Sequence, residues 1–192
     1  MPLLFVAICL PKEARNSLGS LQSGLAKVRW VPNESLHLTV RFIGEVSRLD
    51  AEDIVVALKQ IRTSPFEVRF GELGSFSSGS RVRSLWIGLG ETSNLESLKR
   101  SVDRRLKGAG VEPDSRKYIP HVTLGRVGSR LSNLNQFFSW AGLVSHPTVK
   151  VDQYVLFSSR LSKSGPKYIP VQTYSLAYPG STSGVLQNCQ VS

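Results

Sequence analysis

The sequence predicts an α+β protein built as two similar halves, each a β-sheet with helices on one side. Three observations predict it. First, His37-Leu38-Thr39-Val40 and His121-Val122-Thr123-Leu124 are two copies of one pattern, 84 residues apart. Second, apolar stripes at helical spacing alternate with short β-rich runs. Third, the order strand, helix, His-strand, helix, strands begins again near residue 87, so a duplication runs over about 3–90 and 85–177. Two such antiparallel-sheet lobes, related by a pseudo-twofold and carrying helices on their outer faces, would bring the repeated motifs together across one cleft.

The elements follow in order. Leu3 to Leu10 is apolar and β-rich, and reads as a buried first strand. It has no basic leader and no small-residue cleavage site, so it does not read as a signal peptide. Residues 12–27 place Ala14, Leu18, Leu21 and Leu25 on one helical stripe. Residues 30–33 read as a loop, and Leu36 to Gly44 as the first His-strand. Asp50 is placed to cap a helix with Ile54, Leu58 and Ile61 inward, ended by Pro65. Residues 67–73 alternate, with Val68 and Phe70 on one face. Residues 71–84 are rich in Gly and Ser and read as a flexible turn leading to a strand over 85–89. Ser93-Asn94-Leu95-Glu96 matches a capping box. It opens a helix with Leu95, Leu98, Val102 and Leu106 inward, ended by Gly108 and Gly110. The second His-strand follows, then a short helix near 134–141 and strands near 149–157 and 168–176. Residues 1–178 therefore form one bilobal domain, and 179–192 are expected to be a loose tail.

Composition narrows the function. A hydrophobic share of 41% supports a real core. No run reaches the ~18 apolar residues of a membrane span, so a soluble, cytoplasmic protein is expected. Cys9 and Cys189 stand at opposite ends of the chain, and nothing in the sequence suggests a disulfide framework or a metal ribbon. Net charge is +10, and it is uneven. Residues 1–96 carry 11 Lys+Arg against 10 Asp+Glu, and residues 97–192 carry 13 against 4. A path for a polyanion over the second half is the sharper reading of that imbalance.

The chain has three histidines, and two of them head the repeated motifs. Alternate side chains of a strand share a face. Each copy therefore presents one imidazole and one hydroxyl together and turns two apolar residues inward. Two imidazoles with two hydroxyls suit acid/base chemistry on a phosphate. The rival readings are weaker. Zinc needs three or four ligands, and neither strand supplies a carboxylate or Cys beside its His. A serine-hydrolase elbow is absent. His146, before Pro147, reads as a surface residue. An RNA-binding module without turnover would use the basic half and stack bases on Trp30 or Tyr118, but binding alone does not require two histidines.

The paired motifs and their flanks resemble the 2H phosphoesterase superfamily. Within it they are similar to the RNA 2′,3′-cyclic phosphodiesterases, also called 2′-5′ RNA ligases. The matching stretches are LFVAICLP at 4–11, WVPNESLHLTVRFIG at 30–44, LWIGL at 85–89, YIPHVTLGR at 118–126 and YVLFSSRLSKSGPKYIP at 154–170. The resemblance implies a bilobal fold with the active site between the lobes, acting without metal or cofactor. It implies His37 as proton donor and His121 as proton acceptor, with Thr39, Thr123 and Arg126 as phosphate ligands. It implies action on RNA with 2′,3′-cyclic phosphate ends and leaves end joining as the reverse reaction. A monomer is expected, with tRNA fragments as one candidate substrate, while the sequence itself fixes neither the natural RNA nor the oligomeric state. A regular strand would put Arg126 on the face opposite His121, so Gly125 is expected to mark a bulge that turns it back. Arg41 needs no bulge to share the face of His37 and Thr39, and is a further candidate phosphate ligand.

Overall fold

Leu3–Cys9 (β1) lies inside the sheet, between a strand from each half of the chain. The computed structural model describes residues 1–129, 131, 133–162 and 165–176. The expected tail over 179–192 lies outside the described residues. The chain continues through Lys12–Gly19 (α1), Val28–Trp30 (β2), His37–Glu45 (β3), Arg48–Leu58 (α2), Phe66–Val68 (β4) and Phe70–Ser78 (β5). The second half runs Arg81–Leu89 (β6), Ser93–Gly108 (α3), His121–Val127 (β7), Leu134–Ala141 (α4), Val149–Val151 (β8), Gln153–Ser162 (β9) and Gly165–Ser175 (β10). Among the described residues no helix is long and apolar enough to cross a membrane.

Among the described residues all strand pairs are antiparallel. The main sheet has the order β10-β9-β1-β3-β7-β6-β5, with β2 added beside β7, and β4 and β8 form a separate ribbon. Its plan is symmetric about the β3–β7 junction. β9 from the second half completes the first lobe, and β5 from the first half completes the second. Among the described residues the junction has a single bridge, pairing Leu38 with Val122, residues 84 apart like the two histidines. Pairing a residue with its own repeat equivalent in an antiparallel ladder is what a twofold relation demands. The β4–β8 ribbon does the same within one residue, pairing Glu67 with Lys150. With only one bridge, β3 and β7 splay apart, and β2 takes the rest of the β7 edge at Val28, Arg29 and Trp30.

One face of the sheet packs on the helices. Leu4, Val6 and Ile8 of β1, Leu38 and Val122, and the helical stripes Ala14/Leu18, Ile54/Leu58 and Leu95/Leu98/Val102/Leu106 join one buried core. A smaller cluster of Phe5, Ala7, Val155 and Phe157 covers the opposite face. Removing that much apolar surface from water is the main driving force for the fold.

Several sequence expectations change in detail. The helix expected over 12–27 ends at Gly19. The next amides bond three residues back, Leu21 to Leu18 and Gln22 to Gly19, and Gly24 and Lys27 take positive φ. Leu21 and Leu25 are buried all the same, which explains why their spacing resembled helix. Of the loop expected at 30–33, Trp30 is instead the last residue of β2, and Asn33 opens a 3-10 turn over Asn33–Ser35. The cap of α2 is Ser47, not Asp50, and Asp50 completes a capping box from the third position. Thr92 precedes α3, and its hydroxyl donates to Glu96 at 2.8 Å, so the box expected from Ser93 is not formed. The flexible turn expected over 71–84 is a hairpin of β5 and β6, with Gly79 at φ 57° in its tip.

Candidate active site

His37 and His121 each stand first in their strands, and the same irregularity follows both. In β3, His37 lies opposite Cys9 and Thr39 opposite Ala7. Val40 is then skipped, so that Arg41 lies opposite Val6 and Phe42 opposite Phe5. In β7, Thr123 lies opposite Trp86, Leu124 is skipped, and Gly125 and Arg126 lie opposite Leu85 and Ser84. Each strand thus has a bulge three residues after its His, which reverses the alternation of faces. In β7 the bulge brings Arg126 to the face of Thr123, as expected from Gly125. A Cβ on Gly125 would lie 2.5 Å from Val28 Cγ1 and 2.8 Å from Trp30, so β2 can pack there only against glycine.

In β3 the same device has the opposite consequence for Arg41. The expectation that it shares the face of His37 and Thr39 fails, because the bulge at Val40 gives that place to Phe42. Arg41 borders the cleft, but it is only 5% exposed and its guanidinium is taken. It donates to the Glu112 carbonyl at 2.6 Å and pairs with Asp114 at 2.9 Å and Asp103 at 3.3 Å.

Both imidazoles are held in one way. His37 Nδ1 lies 2.8 Å from the Ser35 carbonyl, and His121 Nδ1 lies 2.6 Å from the Ile119 carbonyl. A carbonyl only accepts, so each Nδ1 carries hydrogen and each Nε2 is left for chemistry. Two aromatic rings flank each imidazole. Phe5 and Tyr168 lie 5.3 and 5.0 Å from His37 between ring centroids, and Phe76 and Trp86 lie 4.8 and 5.8 Å from His121. Gly74 leaves the room that the Trp86 ring fills. Burial among these rings pushes both histidine pKa values below the ordinary 6.5, against the Ser35 and Ile119 carbonyls, which raise them. The charges of His121 and Arg126 lower His37 further.

These groups line one cleft of about 760 Å³. It brings together His37, Thr39, His121, Thr123 and Arg126, with Arg29 paired beside Arg126. Lys99, Arg116 and Lys117 also border it. Of the two candidate stacking rings, Trp30 packs on Phe137 at 6.0 Å, and the Tyr118 hydroxyl donates to the Thr39 carbonyl at 3.0 Å. Sequence reading missed the aromatic flanks. The signal was present: Phe5 and Trp86 hold the same place in the LFVAI and LWIGL repeats. His146 is half-buried rather than on the surface. It meets Ser17 Oγ at 2.8 Å and packs edge-on to Phe70. Among the described residues no group of three or more His, Cys, Asp or Glu is placed to hold a metal ion.

The chain belongs to the LigT like Phosphoesterase family, whose pattern matches twice, at residues 8–86 and 87–168. It is 31% identical to an RNA 2′,3′-cyclic phosphodiesterase of Aquifex aeolicus, over 77% of this chain and 81% of that one. It is 35% identical to an RNA 2′,3′-cyclic phosphodiesterase of Aeropyrum pernix, over 73% and 82%. In fold it is similar to E. coli LigT complexed with 3′-AMP, with a TM-score of 0.75 at 24% identity, over 93% of this chain and 100% of that one.

Proposed function

We propose that this protein hydrolyses 2′,3′-cyclic phosphodiester ends of RNA to 2′-phosphomonoesters, using two histidines and no metal. The reading is supported above all by two imidazoles that line one cleft, each held through Nδ1 by the carbonyl two residues before it. In-line displacement at phosphorus needs a base on one side and an acid on the other, and two lobes facing each other supply them. His121 Nε2 takes a proton from water as the water oxygen bonds to phosphorus. His37 Nε2–H gives its proton to O3′ as the P–O3′ bond breaks. Hydroxyls of Thr39 and Thr123 and the Arg126 guanidinium donate to the non-bridging oxygens, where charge builds. The family resemblance sets which histidine is the acid. The named relatives at 31% and 35% identity support the substrate class.

The test is incubation of the purified protein with an oligonucleotide ending in a 2′,3′-cyclic phosphate, in excess EDTA, with the product read by phosphorus NMR. A single 2′-phosphate product is expected. Lack of turnover, a 3′-phosphate, or activity lost to EDTA and restored by a divalent ion would overturn the reading.

A further inference from the structure

We infer that Arg41 is a positioning residue that clamps the 112–118 segment onto the first lobe and so holds a second, RNA-binding wall of the cleft in place. Because it concerns how RNA meets the site, the second part of this inference rests on the function proposed above.

The repeat shows why a clamp is needed here. Residues 28–30, seven to nine before His37, form β2 and pair with β7 beyond its bulge. Residues 112–114 stand at the same distance before His121, and they form no strand. They read Glu-Pro-Asp, where β2 reads Val-Arg-Trp. Pro113 has no N–H to give to a ladder. In place of backbone pairing, this segment is gripped by a side chain. Gly125 in β7 makes room for Val28 and Trp30. Its repeat equivalent, Arg41, instead bonds the equivalents of those two residues, Glu112 through its carbonyl and Asp114 through its carboxylate.

The clamp reaches the cleft by two routes. Asp114 also receives Arg116 through the backbone N–H at 3.1 Å and two guanidinium nitrogens at 2.9 Å each. That fixes the start of the Arg116-Lys117 pair on the rim. Asp103 pairs with both Arg41 and Lys99, and Lys99 lies 5.2 Å over the Tyr118 ring. Tyr118 then donates to the Thr39 carbonyl. The Arg41 fork itself is buried, its partners Asp114 and Asp103 are 19% and 38% exposed, and its planar guanidinium sets the direction in which each carboxylate is held. The segment presents fixed cations to the RNA strand beyond its terminal nucleotide, and phosphate contacts of that kind set RNA affinity without touching the reacting bond.

The test uses the full chain with Arg41→Lys and Asp114→Asn, by two measurements. Amide hydrogen exchange should quicken over 112–118 while β7 stays protected as in wild type. The kcat/KM for a cyclic-phosphate oligonucleotide should fall about tenfold, through KM, as expected for losing one or two phosphate contacts. The value for a 2′,3′-cyclic mononucleotide should change by less than about twofold, because it makes none of those contacts. Unchanged exchange over 112–118 would refute the clamp. Equal losses on both substrates would mean that Arg41 acts on the reacting phosphate. Loss of protection across the sheet would make it a general structural residue. If wild type turns over neither substrate, the proposed function fails, and the exchange result still decides the clamp.

Discussion

The two halves use one strand design for different ends. Both place His first, Thr two residues on and a bulge at the next residue, and both fix Nδ1 on the carbonyl two residues back. After the bulge they diverge. The second half offers Arg126 to the cleft where the first offers Phe42, and buries Gly125 where the first buries Arg41. The histidines therefore stand as a near-symmetric pair, while the charge beside them in the cleft is one-sided. The function proposed above makes that asymmetry the feature expected to dock an RNA end in one direction.

Removing either half of the symmetric pair should have the largest effect. His37→Ala and His121→Ala are each expected to lower kcat by roughly 10²–10⁴-fold, the usual contribution of a positioned acid or base. Circular dichroism should match wild type. A variant that keeps wild-type kcat would break the pairing of roles.

The asymmetric position comes next. Arg126→Ala should cost about 10²–10³ in kcat, as for loss of one preorganised donor. Phe42→Ala, at the equivalent place, should cost much less. Equal losses at the two positions would mean that the one-sided charge is irrelevant to turnover.

The smallest effect is expected where the bulge is built. Gly125→Ala puts a methyl against Val28 and Trp30. It should destabilise the fold by about 1–3 kcal/mol, the usual cost of overpacking, and loosen β2 from β7. Denaturant unfolding measures the first effect and amide exchange at Val28 to Trp30 the second. Wild-type stability would show that the close approach is slack.

Most of this fold could be read from residue patterns, because its helices carry full apolar stripes. α3 and α4 lie where the spacing of Leu95, Leu98, Val102 and Leu106 and the run at 134–141 put them. The hairpin arms within 71–84 were hidden because their glycines and serines suit turns, and pairing of β5 with β6 and the room given to Trp86 outweigh local preference. The histidines and threonines were legible because repetition marked them. Arg126 was legible because Gly125 advertised its bulge. Arg41 was not, since Val40 is an ordinary strand residue and its bulge leaves no compositional trace. Its acidic partners, Asp103 and Asp114, come from distant stretches of the chain that no periodicity connects.

The central claim is that the two imidazoles work in opposite protonation states, and the pH dependence of kcat/KM tests it most directly. Both pKa values are lowered by burial. The free enzyme should therefore give a bell whose maximum lies below about pH 6.5, the ordinary histidine value. Its acid limb is the base taking up a proton, and its alkaline limb is the acid losing one. His121→Ala should abolish the acid limb of the residual activity and His37→Ala the alkaline limb. A bell of wild-type shape in either variant would contradict the account.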